Sequence, residues 1–382
     1  MSFSFSTKAD LLFGSGVSAQ IGEEAKKYGN RALIVTGGHS TKKSGLLAKV
    51  QAQLDEQGIK WVLYDQAKPN PLISIAEAGA EVAKEEGCSV AIALGGGSVI
   101  DLAKGICARA CNDILIKDMI YKNIPVVKSI PLIAVPTTCG TGSEVNGIGV
   151  MTNDENKDKK AIKGPAVVPK RAIVDPKLMM TMPKSVFASV AFDALCHLDE
   201  AYLSTGATPI SDMFALEGLK LMSENLLKVY NNYDDEEAWS NVALASTYGG
   251  YTLDMVSVVA PHGMDHPIGG LKNAVHGQGL AAISPVIFKE LIPYAPERLG
   301  VISRIFGGKD ENDCYKVILD LLKKIDLGIT LADLGFDEDD IQWMSDNCFQ
   351  VSTFTIGRTP GNWDRDLVEK MYRASMTFNK EN

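Results

Sequence analysis

Residues 89–104 read SVAIALGGGSVIDLAK, and this stretch predicts the fold of the first half of the chain. The apolar run SVAIAL leads directly into three glycines and then into a segment with helical periodicity. Glycines at such a turn let backbone N–H groups approach a ligand, and the helix that follows favours a phosphate at its N-terminus. A plain tight turn would have the same pattern, so both interpretations stay open at this point. The candidate cofactor-binding residues here are Gly95, Gly96, Gly97 and Ser98.

Short apolar runs alternate with helix-period segments on both sides of this stretch. RALIVT (31–36) and WVLYD (61–65) precede it, and IPLIAV (130–135) follows it. This βαβαβα order predicts an α/β fold with a parallel sheet covered by helices on both faces, because each helix must bury its apolar stripe. Farther along, GIGVMT and KKAIKG flank the polar run NDENKDKK and predict a hairpin.

After AIVDP (172–176) the pattern changes to long helical segments interrupted by Pro and Gly. A chain of 382 residues is longer than most single domains. We therefore predict two domains. Residues 1–182 form a Rossmann-like α/β dinucleotide-binding domain, and residues 183–382 form an all-helical domain.

The composition disfavours several classes of partner. With 38 Lys and Arg against 47 Asp and Glu, the net charge of -9 offers no basic surface for nucleic acid or an anionic membrane. No apolar run is long enough to span a membrane, and the start of the chain lacks the pattern of a secretion signal. The seven cysteines include no C-x-x-C pair, which is typical of reduced thiols. We expect a cytoplasmic protein that acts on a small molecule.

A second loop of small residues, PTTCGTGSE (136–144), follows the strand candidate IPLIAV. Loops at the carboxyl ends of parallel strands line one crevice, so this loop and the glycine loop are predicted to face the same nucleotide. Neither matches a Walker loop, which disfavours phosphoryl transfer. The candidate hydroxyl ligands in this loop belong to Thr137, Thr138 and Thr141.

The loop after the first strand candidate, TGGHSTKKSG (36–45), predicts the cofactor preference. Gly37 and Gly38 stand where an acidic residue would bind the adenine-ribose hydroxyls of NAD, and Ser40 follows them. Small and cationic groups accommodate a 2′-phosphate, so NADP(H) is predicted over NAD(H). The cations, Lys42 and Lys43, are equally compatible with an ordinary solvated helix start.

Three of the five histidines lie in PHGMDHPIGGLKNAVHGQG (261–279). Asp193 and His197, in AFDALCHLDEAY, are four residues apart in a helical pattern, which places both on one face. With His262 and His276 they make one carboxylate and three imidazoles, a donor set that suits a divalent transition metal and leaves a position for substrate. Taken alone, an Asp/His pair at this spacing is more often a helix-surface hydrogen bond, and glycine-flanked histidines are often structural.

These motifs resemble the iron-containing (group III) alcohol dehydrogenases of the dehydroquinate synthase-like superfamily. The resemblance covers nearly the whole chain, from FGSG through GGGSVIDLAK, PTTCGTGSE, IVDP and DALCHLDEAY to PHGMDHPIGG, VHGQG and TPGN. It implies a metal-dependent, NAD(P)-dependent alcohol dehydrogenase or aldehyde reductase that acts on a small primary alcohol, diol or aldehyde. It also implies Fe²⁺, with Zn²⁺ or another divalent ion as alternatives, and a homodimer or higher homo-oligomer.

The resemblance assigns roles to individual residues. His266 corresponds to a histidine near the substrate and is a candidate proton relay, Leu178 is expected near the adenine, and Lys160 near the nicotinamide ribose. The implied metal ligands are Asp193, His197, His262 and His276, and the implied nucleotide contacts are Gly96, Gly97, Ser98, Thr137, Thr138 and Thr141.

Some positions depart from the family pattern, and other functions remain open. In this chain AFDAL replaces the family's usual GMDAL, VHGQGLAAISP replaces PHGxxNAxLLP, and NWD replaces NPR. These changes are expected to reshape the substrate pocket. The alternatives are a dehydroquinate synthase-like lyase, a glycerol dehydrogenase-like enzyme, and a nucleotide-binding protein without turnover.

Overall fold

A computed structural model describes residues 7–381. The chain divides into two compact units, an N-terminal unit that ends at Thr181 and a C-terminal unit that begins at Met182.

The N-terminal unit is built on a parallel sheet, as predicted. Six strands pair in the order β1-β8-β5-β4-β2-β3, and β6 and β7 form the predicted antiparallel hairpin. Strand β1 was not predicted, because it is only four residues long, has no fully buried residue and is defined by its pairing with β8. The strands are β1 Asp10–Phe13, β2 Arg31–Gly37, β3 Lys60–Ala67, β4 Val90–Gly95, β5 Leu132–Pro136, β6 Ile148–Thr152, β7 Lys159–Lys163 and β8 Arg171–Val174.

Helices cover both faces of this sheet. Successive side chains of a strand point to opposite faces, so Leu33 and Val35 join one apolar core while Ala32 and Ile34 join the other. Burial on both faces explains why the central strands are continuous apolar runs. The helices of this unit are α1 Ile21–Lys26, α2 Ser40–Lys43, α3 Leu46–Glu56, α4 Ile73–Glu85, α5 Gly97–Cys111, α6 Ile116–Tyr121 and α7 Pro176–Met179.

The C-terminal unit is helical over its described residues. Its central helix, α8, is buried nearly all round because α9, α10 and α12 pack against it. The helices are α8 Lys184–Leu203, α9 Pro209–Asn231, α10 Glu236–Val256, α11 Ala260–Lys272, α12 His276–Leu291, α13 Pro296–Ile305, α14 Cys314–Lys324, α15 Glu338–Val351, α16 Thr353–Ile356, α17 Arg365–Ala374 and α18 Phe378–Glu381. Within residues 7–381, none of the helices combines the length and the apolar character that a membrane span requires.

Candidate functional site

Three loops meet at the carboxyl edge of the sheet. Strands β5, β4 and β2 are neighbours in the sheet and run parallel, so the segments that follow them emerge on the same side. Gly95 at the end of β4 pairs with Pro136 at the end of β5. The predicted cofactor residues of the three loops therefore share one edge, where open α/β sheets bind nucleotides. They are Gly37, Gly38 and Ser40 at and after the end of β2, Gly95, Gly96, Gly97 and Ser98 at and after the end of β4, and Thr137, Thr138 and Thr141 after β5.

The glycine loop and the threonine loop pack directly on each other. A Cβ atom added to Gly96 would lie 2.8 Å from Thr138 Oγ1, and one added to Gly97 would lie 2.3 Å from Thr141 Cγ2. Only glycine leaves room for this approach. Gly96 is also the N-cap of α5, so the hydroxyls of the threonine loop lie beside the unpaired N–H groups of that helix end.

The remaining predicted cofactor residues lie in different surroundings. Nothing comes within 4 Å of a Cβ added to Gly38, which leaves space beside the β2 loop. Leu178, in α7 after β8, packs on the apolar core at the same carboxyl edge. Lys160 belongs to the hairpin strand β7, where its Nζ lies 4.9 Å from the ring centre of Tyr121.

In the C-terminal unit, three of the four predicted metal ligands converge. Asp193 on α8, His262 on α11 and His276 on α12 each place a ligand atom within 4.8 Å of the others. Asp193 Oδ1 lies 3.3 Å from His262 Nε2 and 3.4 Å from His276 Nε2. Asp193 and His262 are buried, and His276 is partly exposed. Among residues 7–381, no other group of His, Cys, Asp and Glu side chains meets this criterion.

His197 lies beside this group rather than within it. Its Nδ1 is 3.8 Å from Asp193 Oδ1, and its ring stacks on that of His262 with ring centres 4.5 Å apart. A Cβ added to Gly249 of α10 would lie 3.1 Å from His197 Cβ, so the close packing of α10 on α8 fixes the position of the His197 Cβ atom.

Two carboxylates that the sequence analysis did not select hold the outer nitrogens of the clustered histidines. Glu200 Oε1 lies 2.6 Å from His262 Nδ1, and Asp265 Oδ2 is hydrogen-bonded to His276 Nδ1. Metal-binding histidines commonly make this contact, because it sets the tautomer and aims the other nitrogen. Glu200 lies one helical turn after His197 and Asp265 three residues after His262, so spacing could have marked both as candidates.

The cluster concentrates negative charge around the imidazoles. Burial lowers the pKa of His262, but Glu200 and Asp193 outweigh it and raise that pKa to about 10. Asp265 and Asp193 likewise outweigh burial and raise the pKa of His276. Burial raises the pKa of Asp193, yet His197 and His276 together hold it well below its usual value. The site therefore attracts positive charge.

Glycines let the three helices come this close. A Cβ added to Gly277, at the start of α12, would lie 1.9 Å from the carbonyl oxygen of Ser189 on α8. One added to Gly279 would lie 2.0 Å from Asp265 Oδ1. The glycines of VHGQG thus make room for the helix that carries Asp193 and for the carboxylate that holds His276.

His266 lies on α11 one turn after His262 but outside the three-residue group. Its Nδ1 is 3.0 Å from Ser352 Oγ, between α15 and α16. Because Ser352 is buried, its hydroxyl can orient the ring of His266.

Nucleotide-type loops on a parallel sheet, together with a carboxylate and imidazole cluster in a helical unit, define a class of metal- and nicotinamide-dependent oxidoreductases. The family model described as "Iron-containing alcohol dehydrogenase" matches residues 8–176, and that for the C-terminal part of the Fe-containing alcohol dehydrogenase family matches residues 187–376. The chain belongs to the iron-containing alcohol dehydrogenase family, and the resemblance inferred from its motifs is confirmed.

Individual relatives agree with this assignment. Alcohol dehydrogenase 4 of Schizosaccharomyces pombe is 33% identical over 96% of this chain and 87% of its own length. The NAD-dependent methanol dehydrogenase of Bacillus methanolicus is 31% identical over 89% of this chain and 91% of its own. The crystal structure of an archaeal halo-thermophilic alcohol dehydrogenase from a Red Sea brine pool matches with a TM-score of 0.94 and 32% identity, covering 98% of this chain and 100% of that one.

These findings establish the reaction class and confirm the fold class. The chain is an oxidoreductase that acts on alcohols, and its family implies a divalent metal ion and a nicotinamide cofactor. The fold is α/β in the N-terminal unit and helical in the C-terminal unit, as in the structures it resembles.

Proposed function

We propose that this chain transfers hydride between NADP(H) and a small primary alcohol, diol or aldehyde, with residues 1–182 binding the dinucleotide and residues 183–382 binding a divalent metal ion. The proposed ligands are Asp193, His197, His262 and His276, and Fe²⁺ is the first candidate ion. The observation that carries the proposal is the approach of two imidazole Nε2 atoms to one carboxylate oxygen, at 3.3 and 3.4 Å.

The donor set fits a divalent cation. Because Glu200 and Asp265 hold the Nδ1 atoms, neutral His262 and His276 would direct their Nε2 lone pairs at the oxygen of Asp193. A proton or a metal ion must therefore lie between each Nε2 and the carboxylate, and the raised pKa values of both histidines reflect the same attraction for a cation. Three carboxylates beside uncharged imidazoles also leave a negative charge that a divalent ion offsets. Nitrogen and oxygen donors of this kind suit Fe²⁺, Zn²⁺, Co²⁺, Ni²⁺ or Mn²⁺.

Each part of the site has a defined task in the reaction. When bound, the metal ion would supply Lewis acidity, which makes an alcohol hydroxyl more acidic and polarises an aldehyde carbonyl. Glu200 and Asp265 keep His262 and His276 in the orientation that binding requires. His266 would exchange at Nε2 the proton that the alcohol loses on oxidation and the aldehyde gains on reduction, while Ser352 orients its ring.

The loops at the carboxyl edge would hold the dinucleotide. The N-terminus of α5, formed by Gly97 and Ser98, suits the pyrophosphate, and the hydroxyls of Thr138 and Thr141 lie beside it. Leu178 would pack near the adenine. Lys160 would contact the nicotinamide ribose. The last two assignments come from the family pattern.

The preference for NADP(H) rests on the β2 loop. From Gly37 to Lys43 the loop contains no carboxylate, and the space beside Gly38 is open. Lys42 Nζ lies 2.5 Å from Asp65 Oδ2, so part of its charge is offset, whereas Lys43 has no ion pair within residues 7–381. Ser40 and Lys43 would then contact a 2′-phosphate. A kcat/KM ratio, measured for NADP(H) against NAD(H), tests this; a strong preference for NAD(H) refutes it.

Metal reconstitution tests the metal-dependent reaction. Protein purified anaerobically and stripped of metal should lose turnover of an aldehyde and alcohol panel and regain it with one of the divalent ions above. Asp193→Asn should prevent reconstitution, because it removes the negative charge that both Nε2 atoms face and replaces one carboxylate oxygen with an NH2 group. Asp199→Asn, on the same helix but outside the group, is the matched control and should reconstitute. Full activity in exhaustively stripped protein would refute the mechanism.

A homo-oligomer, at least a dimer, is proposed from the family pattern alone. Light scattering of the purified protein gives its mass relative to the 41.1 kDa chain, and a monomer at assay concentration would refute it.

A further inference from the structure

Both helices that supply a clustered histidine contain an interior proline. Pro267 lies within α11, which carries His262, and Pro285 lies within α12, which begins at His276. Of the helices within residues 7–381, these are the two in which a proline interrupts the interior. A proline has no N–H, so the carbonyl four residues earlier loses its helical hydrogen bond. The two deprived carbonyls are those of Gly263 and Ala281.

Side chains from the end of the chain donate to these same two carbonyls. Cys348 Sγ, on α15, lies 3.4 Å from the carbonyl oxygen of Gly263. Asn379 Nδ2, on α18, lies 3.0 Å from the carbonyl oxygen of Ala281. Both contacts are buried, so water cannot take their place. Burial also raises the pKa of the Cys348 thiol to about 12, which keeps its proton available for donation.

The deprived carbonyls lie close to the proposed ligands. Gly263 directly follows His262, and Ala281 is in the second turn of α12, whose first residue is His276. A third side chain supports the same stretch, since Tyr372 OH donates to the carbonyl of Met264 at 2.6 Å. An unsatisfied buried carbonyl is costly, so a helix that lost its donor would shift to find another. A shift of about half an ångström is enough to spoil a ligand set.

We propose that Cys348 and Asn379 are positioning residues of the metal site, each supplying the hydrogen bond that a proline withholds from a helix carrying a ligand histidine. The inference rests on the proposed function, because Cys348 and Asn379 can position a metal site only if His262 and His276 bind a metal ion. Cys348 and Asn379 thereby affect how tightly the metal is held, although neither is a proposed ligand.

Metal affinity is the readout. Zn²⁺ and, anaerobically, Fe²⁺ are titrated into the metal-free full-length protein in competition with a chromophoric chelator. Loss of the hydrogen bond to the deprived carbonyl should raise the metal Kd of Cys348→Ala and of Asn379→Ala by roughly 2- to 10-fold. Asn379→Ala also removes the Nδ2 hydrogen bond to the carbonyl of Ile329 at 2.6 Å, so the Pro285→Ala comparison isolates the contribution at Ala281. Cys348→Ser should keep the wild-type Kd, because a hydroxyl also donates. Ser345→Ala is the matched control, since its buried hydroxyl donates at 2.8 Å only within its own helix, to Ile341.

A proline substitution provides the sharper test. Pro285→Ala returns a backbone N–H to the Ala281 carbonyl, so adding Asn379→Ala to it should change the Kd less than Asn379→Ala does alone. Unchanged Kd values for the single variants, or an equal rise in Ser345→Ala, overturn the inference. If Asn379→Ala fails to fold, the comparison of Cys348→Ala with Cys348→Ser decides. A wild-type protein that binds neither ion overturns the proposed function as well, whereas wild-type binding with unaffected variants overturns this inference alone.

Discussion

Replacing Glu200 by glutamine should weaken metal binding while leaving the fold intact. The carboxylate accepts three hydrogen bonds: Oε1 from His262 Nδ1 at 2.6 Å, and Oε2 from the backbone N–H groups of Val259 and His262 at 2.8 and 3.3 Å. Glutamine has one accepting oxygen and one donating amide, so it cannot satisfy both sides.

The two orientations of the glutamine differ in what they lose. With its oxygen toward the backbone it keeps two hydrogen bonds, but its amide then faces His262 Nδ1. The imidazole must in response carry its proton on Nε2, the atom that faces Asp193. The opposite orientation leaves two buried N–H groups unsatisfied, at about 1–3 kcal/mol each, so the first is favoured. Glutamine therefore weakens metal binding, because the favoured orientation places a proton on the Nε2 atom that would bind the metal.

Changes to such supporting carboxylates typically reduce metal affinity by about 10- to 100-fold, or roughly 1.4–2.8 kcal/mol. Chelator competition should show a Kd raised by that factor in Glu200→Gln. The neighbouring Asp199→Asn serves as the control, because within residues 7–381 neither side-chain oxygen of Asp199 is hydrogen-bonded to another side chain. Wild-type affinity in Glu200→Gln would refute the tautomer argument.

Three further predictions concern other parts of the molecule. Gly97→Val should abolish nucleotide binding by calorimetry and spare metal binding, because its Cβ would clash with the threonine loop at 2.3 Å; retained nucleotide affinity would contradict this. Asp199→Leu should raise the free energy of unfolding in urea by about 1–3 kcal/mol, because it removes a buried carboxyl that makes no side-chain hydrogen bond within residues 7–381, and a loss of stability would contradict the account. Burial raises the pKa of Glu24, but Lys27 and Arg171 outweigh it and lower the pKa below 4.5, so Glu24→Gln should destabilise the protein near neutral pH. Stability from a lowered pKa is lost as pH falls through it, so the difference from wild type should shrink as the pH falls below 4.5, and a difference independent of pH would count against it.

Local patterns in the sequence were sufficient for four of the six strands of the sheet. The alternation of apolar runs and helical segments predicted β2 to β5 in a parallel sheet, because a strand buried on both faces needs a continuous apolar run. The same patterns missed β1, which has no fully buried residue and depends on its partner β8. The positions of the glycines identified the loops, because two backbone segments that approach to contact distance leave no room for a Cβ atom.

The sequence by itself determined the donor types of the site and the spacing of Asp193 from His197. It did not determine which acid supports which histidine. Asp199 and Glu200 are adjacent acids on one helix, yet only Glu200 reaches His262, because successive residues of a helix point about 100° apart.

Tertiary structure alone decided how the separate segments converge. Packing of α8, α11 and α12 brings Asp193, His262 and His276 together and leaves His197 alongside. It also brings Cys348 and Asn379 to the carbonyls that two prolines leave without partners. Periodicity reports the face of a single element, whereas these contacts depend on how distant helices pack, which no local pattern encodes.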